Sequence, residues 1–107
     1  MKVYISGRIT SLKEDQYRQA FDRATKLLEE EGHLPVDPSK LGKPEHRSWN
    51  YYMRKAIPQL CECDAIYMLN GWAKSKGAQI ELNLATGLEM PVFWESENAF
   101  DKEILHG

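Results

Sequence analysis

Ser75-Lys76-Gly77-Ala78-Gln79-Ile80-Glu81 is the stretch of this sequence whose residue types and spacing are suited to chemistry. A hydroxyl, a cation and a small residue lead straight into what reads as a helix. Free N–H groups and the positive end of the helix dipole favour an anion at such a place. Ser75 can donate a hydrogen bond to that anion and Gly77 lets the backbone come close to it, so a phosphate fits. The plainer reading of Ser75 is that it only caps the helix. Glu81 lies a little over one turn further on, and its side chain leans back toward the same end of the helix. A single helical glutamate is ordinarily a solvated surface charge, so the meaning of Glu81 depends on which elements surround it.

Those elements follow from patterning. Val3-Tyr4-Ile5, stopped by Ser6-Gly7, predicts a buried strand over residues 2–6. Apolar residues recur every three or four positions at Tyr17, Ala20, Phe21, Ala24, Leu27 and Leu28. They predict a helix over 14–31, ended by Gly32. His33-Leu34-Pro35-Val36 predicts a weaker strand, closed by Asp37-Pro38, and the Gly/Pro/Lys-rich stretch 38–47 reads as loop. Ser48 can cap a helix running to about residue 57, where Pro58, lacking an N–H, predicts a kink or a restart. Residues 65–69 form the clearest buried strand, followed by a loop through Asn70-Gly71-Trp72 and a helix over about 77–88. Pro91-Val92-Phe93-Trp94 supplies a last strand, and a short helix is expected beyond Ser96, with Phe100 and Ile104 on one face.

Alternating strands and helices predict a single-domain, flavodoxin- or Rossmann-like α/β fold: a parallel sheet of order 2-1-3-4 with helices on both faces. Ligands of such sheets bind beyond the carboxyl ends of the strands, where the order reverses. That edge gathers Ser6-Gly7-Arg8, Asp37, and the loop from Asn70 to Gly77. Asp37 is a candidate for contact with a sugar or base. Trp72 can stack on a base or serve as partial core. Asp64, just before a buried strand, is expected to bond loop amides. Tyr4 and Tyr67 lie inside strands and read as packing; His33, His46 and His106 have no partner at ligand spacing.

The bulk composition narrows the ligand class. A chain of 107 residues has room for one core. With 42% hydrophobic and 28% charged residues it reads as an ordinary soluble globule. No apolar run reaches the roughly 20 residues of a membrane span, and the N-terminus shows no secretory pattern, so a cytoplasmic location is expected. A net charge of −2 gives no broad field for a polyanion, which favours a small ligand over a nucleic acid polymer. Cys61 and Cys63 diverge on a helix and no set of ligands completes a zinc site, so they read as reduced thiols, with no metal or cofactor called for.

Cys63-Asp64-Ala65-Ile66-Tyr67-Met68-Leu69, then Gly71-Trp72, Ser75, Gly77-Ala78, Glu81 and Leu84-Ala85, resembles the nucleoside 2-deoxyribosyltransferase superfamily, including its deoxynucleoside-monophosphate N-glycosidases. The likeness runs from Tyr4-Ile5-Ser6-Gly7 to Pro91-Val92-Phe93, and the pattern Gly-Trp-x-x-Ser-x-Gly-Ala-x-x-Glu is similar to a small bacterial and phage branch. The resemblance implies that Glu81 is the nucleophile, attacking C1′ of the deoxyribose. It implies that Ser75 belongs to a 5′-phosphate pocket, that Ser6-Gly7-Arg8 borders sugar and phosphate, and that subunits complete one another's pockets in a homodimer or larger oligomer.

One departure stands out. Chains of that branch carry an aspartate in a segment like Met-Arg-x-Asp-Ile, whereas this chain has Met53-Arg54-Lys55-Ala56-Ile57. Two functions therefore stay open: an N-glycosidase or deoxyribosyltransferase acting on a deoxynucleoside or its monophosphate, and a nucleotide-binding module with impaired turnover. A third is an interaction protein with a vestigial pocket.

Overall fold

The two strands that are apolar on both faces pair with each other and form the middle of the sheet. In the computed structural model, which describes residues 1–41 and 48–95, β1 (Lys2–Ser6) lies beside β3 (Ala65–Met68). β2 (Leu34–Val36) flanks β1 and β4 (Val92–Trp94) flanks β3. All three pairings are parallel, and the order is the expected 2-1-3-4. Val3 to Ser6 and all of β3 are buried, as central strands covered on both faces must be. The register sets Tyr4 opposite Ile66 and Ser6 opposite Met68.

Three helices supply the cover. α1 (Glu14–Glu30) buries Tyr17, Phe21, Ala24 and Leu28. α2 (Trp49–Cys61) buries Tyr52, Met53, Ala56 and Leu60, and α3 (Lys76–Gly87) buries Ala78, Glu81 and Ala85. The α1 and α3 sets repeat at three or four residues, as do Tyr52, Ala56 and Leu60 of α2 with Met53 beside them, which keeps each set on one face of its helix. α1 ends where Gly32 takes a φ of +84°, a conformation that a side chain would strain. Asp64 does bond a backbone amide: its Oδ2 accepts from Lys2 N at 2.9 Å, while its own N–H donates to Lys2 O at 2.7 Å. The two bonds pin the start of β3 to the start of β1.

Three segments differ from the sequence-based expectation. Pro38–Leu41 and Trp72–Lys74 form 3-10 turns rather than open loop. α2, capped by the Ser48 hydroxyl accepting from Tyr51 N, runs through Pro58 to Cys61 without a restart. Pro58 and Arg54, whose carbonyl loses its partner, both lie on the exposed side of α2, where water can take the place of the missing N–H. The remainder of the expected loop, with His46, and the tail from residue 96, with Phe100, Ile104 and His106, lie outside the described residues.

Because Pro58 interrupts an otherwise regular ladder on a solvent face, Pro58→Ala should stabilise the protein by about 1–3 kcal/mol. Urea denaturation measures this directly. An unchanged or lower midpoint would mean that the proline's restriction of the unfolded chain outweighs the bond it removes.

Candidate functional site

Glu81 occupies a core position of α3, between Ala78 and Ala85, and is only 4% exposed. A carboxylate withdrawn from water needs donors or a counter-charge. Here β1 provides two hydroxyls, one for each oxygen. Ser6 Oγ donates to Oε1 at 2.7 Å, and Tyr4 OH donates to Oε2. The two donors are two residues apart on a strand, so they project from the same face. None of the ion pairs among the described residues involves Glu81.

This environment sets the protonation of the group. Burial raises the Glu81 carboxyl above its ordinary 4.5, the hydrogen bonds from Tyr4 and Ser6 offset part of the rise, and the net result is about 7. Burial, and next the charge of Glu81, push the Tyr4 phenol well above its usual value, so Tyr4 remains a donor. Near neutral pH Glu81 is shared between acid and carboxylate, a poise suited to a group that must act as base or nucleophile.

The side chain faces a narrow inner cleft whose walls include Gly7, Trp49, Tyr52, Ser75 and Gly77. Its volume of about 20 Å³ holds roughly one water. Ser75, Gly77, Trp49 and Thr10 also border an outer basin of about 450 Å³, whose other walls carry Arg8, Lys74 and Lys76. Among the described residues no acidic side chain lines that basin. Lys76 Nζ stands 4.5 Å above the Trp49 ring. Ser75 is the helix cap: its Oγ accepts from Ala78 N at 3.1 Å. That bond uses a lone pair, so the hydroxyl proton stays available, as do the first N–H groups of α3. Capping and anion binding are therefore compatible at Ser75. Gly7 is required by close approach, since a Cβ there would meet Leu69 Cδ1 at 2.6 Å.

Of the residues singled out in the sequence, Glu81, Ser75, Gly77 and Gly7 meet in the inner cleft, and Arg8 joins Ser75 and Gly77 at the basin. Ser6 is fully buried behind Glu81 and committed to it. Asp37 lines neither hollow. Its Oδ1 accepts from Ser39 N at 2.9 Å and from the Ser39 hydroxyl, and its Oδ2 lies 3.8 Å from Arg18 Nη1, so it shapes the Pro38–Leu41 turn. Trp72 packs against Trp94 with ring centroids 5.6 Å apart. Ala56 is completely buried in the core. Cys61 and Cys63 are free; burial pushes the Cys63 thiol up to about 11, which leaves it un-ionised near neutral pH. Among the described residues no group of three His, Cys, Asp or Glu side chains is placed to hold a metal ion.

Tyr4 and the α2 wall were not marked as functional from the sequence. The available signals were the hydroxyls two apart in β1, and Glu81 set among alanines on the buried stripe of α3. No local pattern reveals Glu95, whose carboxylate takes Arg23 of α1 and Asn70 N, tying the loop after β3 to α1.

Comparison with known proteins adds two findings. Residues 1–94 match the family described as "Domain of unknown function (DUF4406)". The fold is similar to that of the 2-deoxyribosyltransferase from the psychrotolerant bacterium Bacillus psychrosaccharolyticus. That likeness has a TM-score of 0.67 at 19% sequence identity, covering 88% of this chain and 71% of that chain. Curated protein sequences give no match.

The raised Glu81 value fixes the sign of a stability effect. The folded state holds the Glu81 proton up to about pH 7, whereas the unfolded chain releases it near 4.5. Stability from this group is therefore full below about 4.5, falls between 4.5 and 7, and stays reduced above. The full difference is about 3 kcal/mol. Glu81→Gln, which cannot ionise, should be close to wild type in urea at pH 4 and more stable than wild type at pH 8. An equal difference at both pH values would sink this account.

Proposed function

Since the chain belongs to the family described as domain of unknown function DUF4406, whose description names no reaction, we propose from its site that it is an N-glycosidase or deoxyribosyltransferase. Its substrate on this reading is a deoxynucleoside or deoxynucleoside 5′-monophosphate. The observation that carries the proposal is Glu81: a buried carboxyl held by two hydroxyls, facing a cleft at the carboxyl edge of the sheet, beside a basin lined with cations. The likeness in fold to a 2-deoxyribosyltransferase supports the substrate class.

In this reaction a Glu81 oxygen forms a bond to C1′ as the C1′–N bond breaks, and the bonding pair leaves with the base. The carboxylate stabilises the oxocarbenium charge that develops on the sugar and then traps it as an ester. Water opens the ester in a glycosidase, or a second base does so in a transferase, and either returns Glu81. Tyr4 and Ser6 hold the carboxylate toward the cleft. Arg8, the Ser75 hydroxyl and the first amides of α3 receive the phosphate. The site works in the cytoplasm without a cofactor, and no described helix is long and apolar enough to cross a membrane.

A nucleotide-binding module with impaired turnover is the second reading, favoured by two observations. Ala56 is completely buried and gives α2 no carboxylate. The inner cleft, at about 20 Å³, is large enough for a water and too small for a sugar.

The reading includes a homodimer or larger oligomer. An apolar groove of about 440 Å³ formed by Trp49, Met53, Ile57, Pro58 and Ile80 shares Trp49 and Met53 with the inner cleft, so a second copy seated there would close the site from outside. Light scattering should give at least twice the monomer mass at micromolar concentration; a monomer mass would remove this part of the proposal.

The central test is chromatography of each deoxynucleoside monophosphate after incubation with the protein. Free base should appear, at a rate that rises with pH through about 7 as Glu81 ionises and then levels off. Glu81→Ala should abolish release, a loss of at least about 10³-fold. Release that survives this substitution would refute the nucleophile, and binding without release would leave the module reading.

A further inference from the structure

The departure of a base from a sugar needs more than a nucleophile, because negative charge gathers on the leaving heterocycle and a donor must meet it. Tyr4 and Ser6 cannot serve, since their protons are committed to Glu81. Four donor-bearing side chains line the inner cleft: Thr10, Trp49, Tyr52 and Ser75. Thr10, Trp49 and Ser75 also border the outer basin, where the cations gather. Tyr52 borders the inner cleft and not the outer basin, is 9% exposed, and comes from α2, a different wall from the one that carries Glu81.

The hydroxyl of Tyr52 is loosely engaged. Its hydrogen bond is to Pro38 O at 3.5 Å, well beyond the roughly 2.7–2.8 Å usual for O–H···O, and a ligand atom can replace it at little cost. Ala56, one turn further along the same buried face of α2, has no polar group to offer.

We propose that Tyr52 is a substrate-contacting residue of this site, donating a hydrogen bond to a nitrogen or oxygen of the leaving heterocyclic base. The assignment rests on the glycosyl-transfer reading of Glu81. As the C1′–O bond to Glu81 forms and the C1′–N bond breaks, the electron pair moves onto the base and Tyr52 O–H meets the atom that gathers the charge. Burial, then the charges of Glu81 and Asp37, hold the phenol far above its ordinary range. Tyr52 therefore keeps its proton throughout, and the departed base takes one from water.

Tyr52→Phe keeps the ring and removes the donor. It should lower the base-release kcat by about 10- to 100-fold and weaken deoxynucleoside-monophosphate binding several-fold, while leaving the affinity for inorganic phosphate within about 2-fold. Base release and nucleotide affinity both within 2-fold of wild type would overturn the assignment. If wild type binds nucleotide but releases no base, the reaction fails while Tyr52 is judged on affinity alone: selective loss for nucleotide over phosphate upholds the contact, and no loss overturns it. Failure of wild type to bind any nucleotide overturns both. Should Tyr52→Phe unfold, wild-type protein labelled at tyrosine Cζ decides the contact. Nucleotide, but not phosphate, should shift a buried tyrosine resonance, and no such shift would overturn it.

Discussion

A carboxyl group buried in the middle of an otherwise apolar helix face is the constraint around which this protein is arranged. Glu81 takes a core position that the spacing of α3 reserves for residues like Ala78 and Ala85, and its burial is unfavourable by about 3 kcal/mol at neutral pH. The fold tolerates this only because β1 directs two hydroxyls at it. Those hydroxyls must come from one face of one strand, which fixes Tyr4 and Ser6 relative to each other. The strand must end where α3 begins, which a parallel sheet ensures by bringing the carboxyl end of each strand to the amino end of the next helix. A change of one residue in the β1–β3 register would turn Tyr4 and Ser6 away from α3 and leave the carboxyl without donors. The reciprocal bonds between Lys2 and Asp64, at the far end of the same strand pair, hold that register.

The charge pattern divides the site into two environments. The whole chain is slightly acidic, yet the outer basin is bordered by Arg8, Lys74 and Lys76 with no acid among the described residues of its walls, and the start of α3 borders it. An anion is favoured there by local placement rather than by net charge, so the slightly acidic composition does not speak against a phosphate at this place. The inner cleft is the opposite: narrow, with a carboxyl at its base and apolar and phenolic walls. Charge held in the basin would orient a ligand so that its uncharged remainder enters beside Glu81, and binding at a distance would then help position the reacting atoms.

The fold was legible because its signals are local. Short apolar runs and three-to-four spacing gave four strands, three helices and the order 2-1-3-4, and Gly32 marked a stop where a positive φ is in fact required. Pro58 misled because a proline's effect depends on which side of a helix it occupies, and the exposed side of α2 leaves its neighbours solvated. At the site, the motif around Ser75 and Glu81 falls on the loop and helix that border both hollows, but the partners of Glu81 lie 75 and 77 residues away, a relation that periodicity does not carry. Tyr4 reads as packing because β1 is buried on both faces, so alternation is lost and a functional hydroxyl looks like another large core residue. Asp37 stood at the expected edge, yet the Pro38–Leu41 turn folds back to bond its Oδ1, while its buried Oδ2 has no hydrogen bond and lies 3.8 Å from Arg18, relations between side chains that the sequence pattern does not carry.

A glutamate with ordinary solvation would be fully ionised at neutral pH and held by water; this one has its water replaced by two fixed donors and keeps its proton up to about pH 7. Adding a cation, the simplest way to stabilise it, would lower its basicity and neutralise its charge. Hydroxyl donors are weaker: they orient both oxygens and restrain the carboxyl without forming an ion pair. The absence of a Glu81 ion pair among the described residues, beside a basin that has three cations a short distance away, is thus consistent with a division of labour in which positive charge is kept for the ligand. Sites that set a local rule of stability aside in this way are where function is to be sought, and in this fold the rule is set aside most clearly at Glu81.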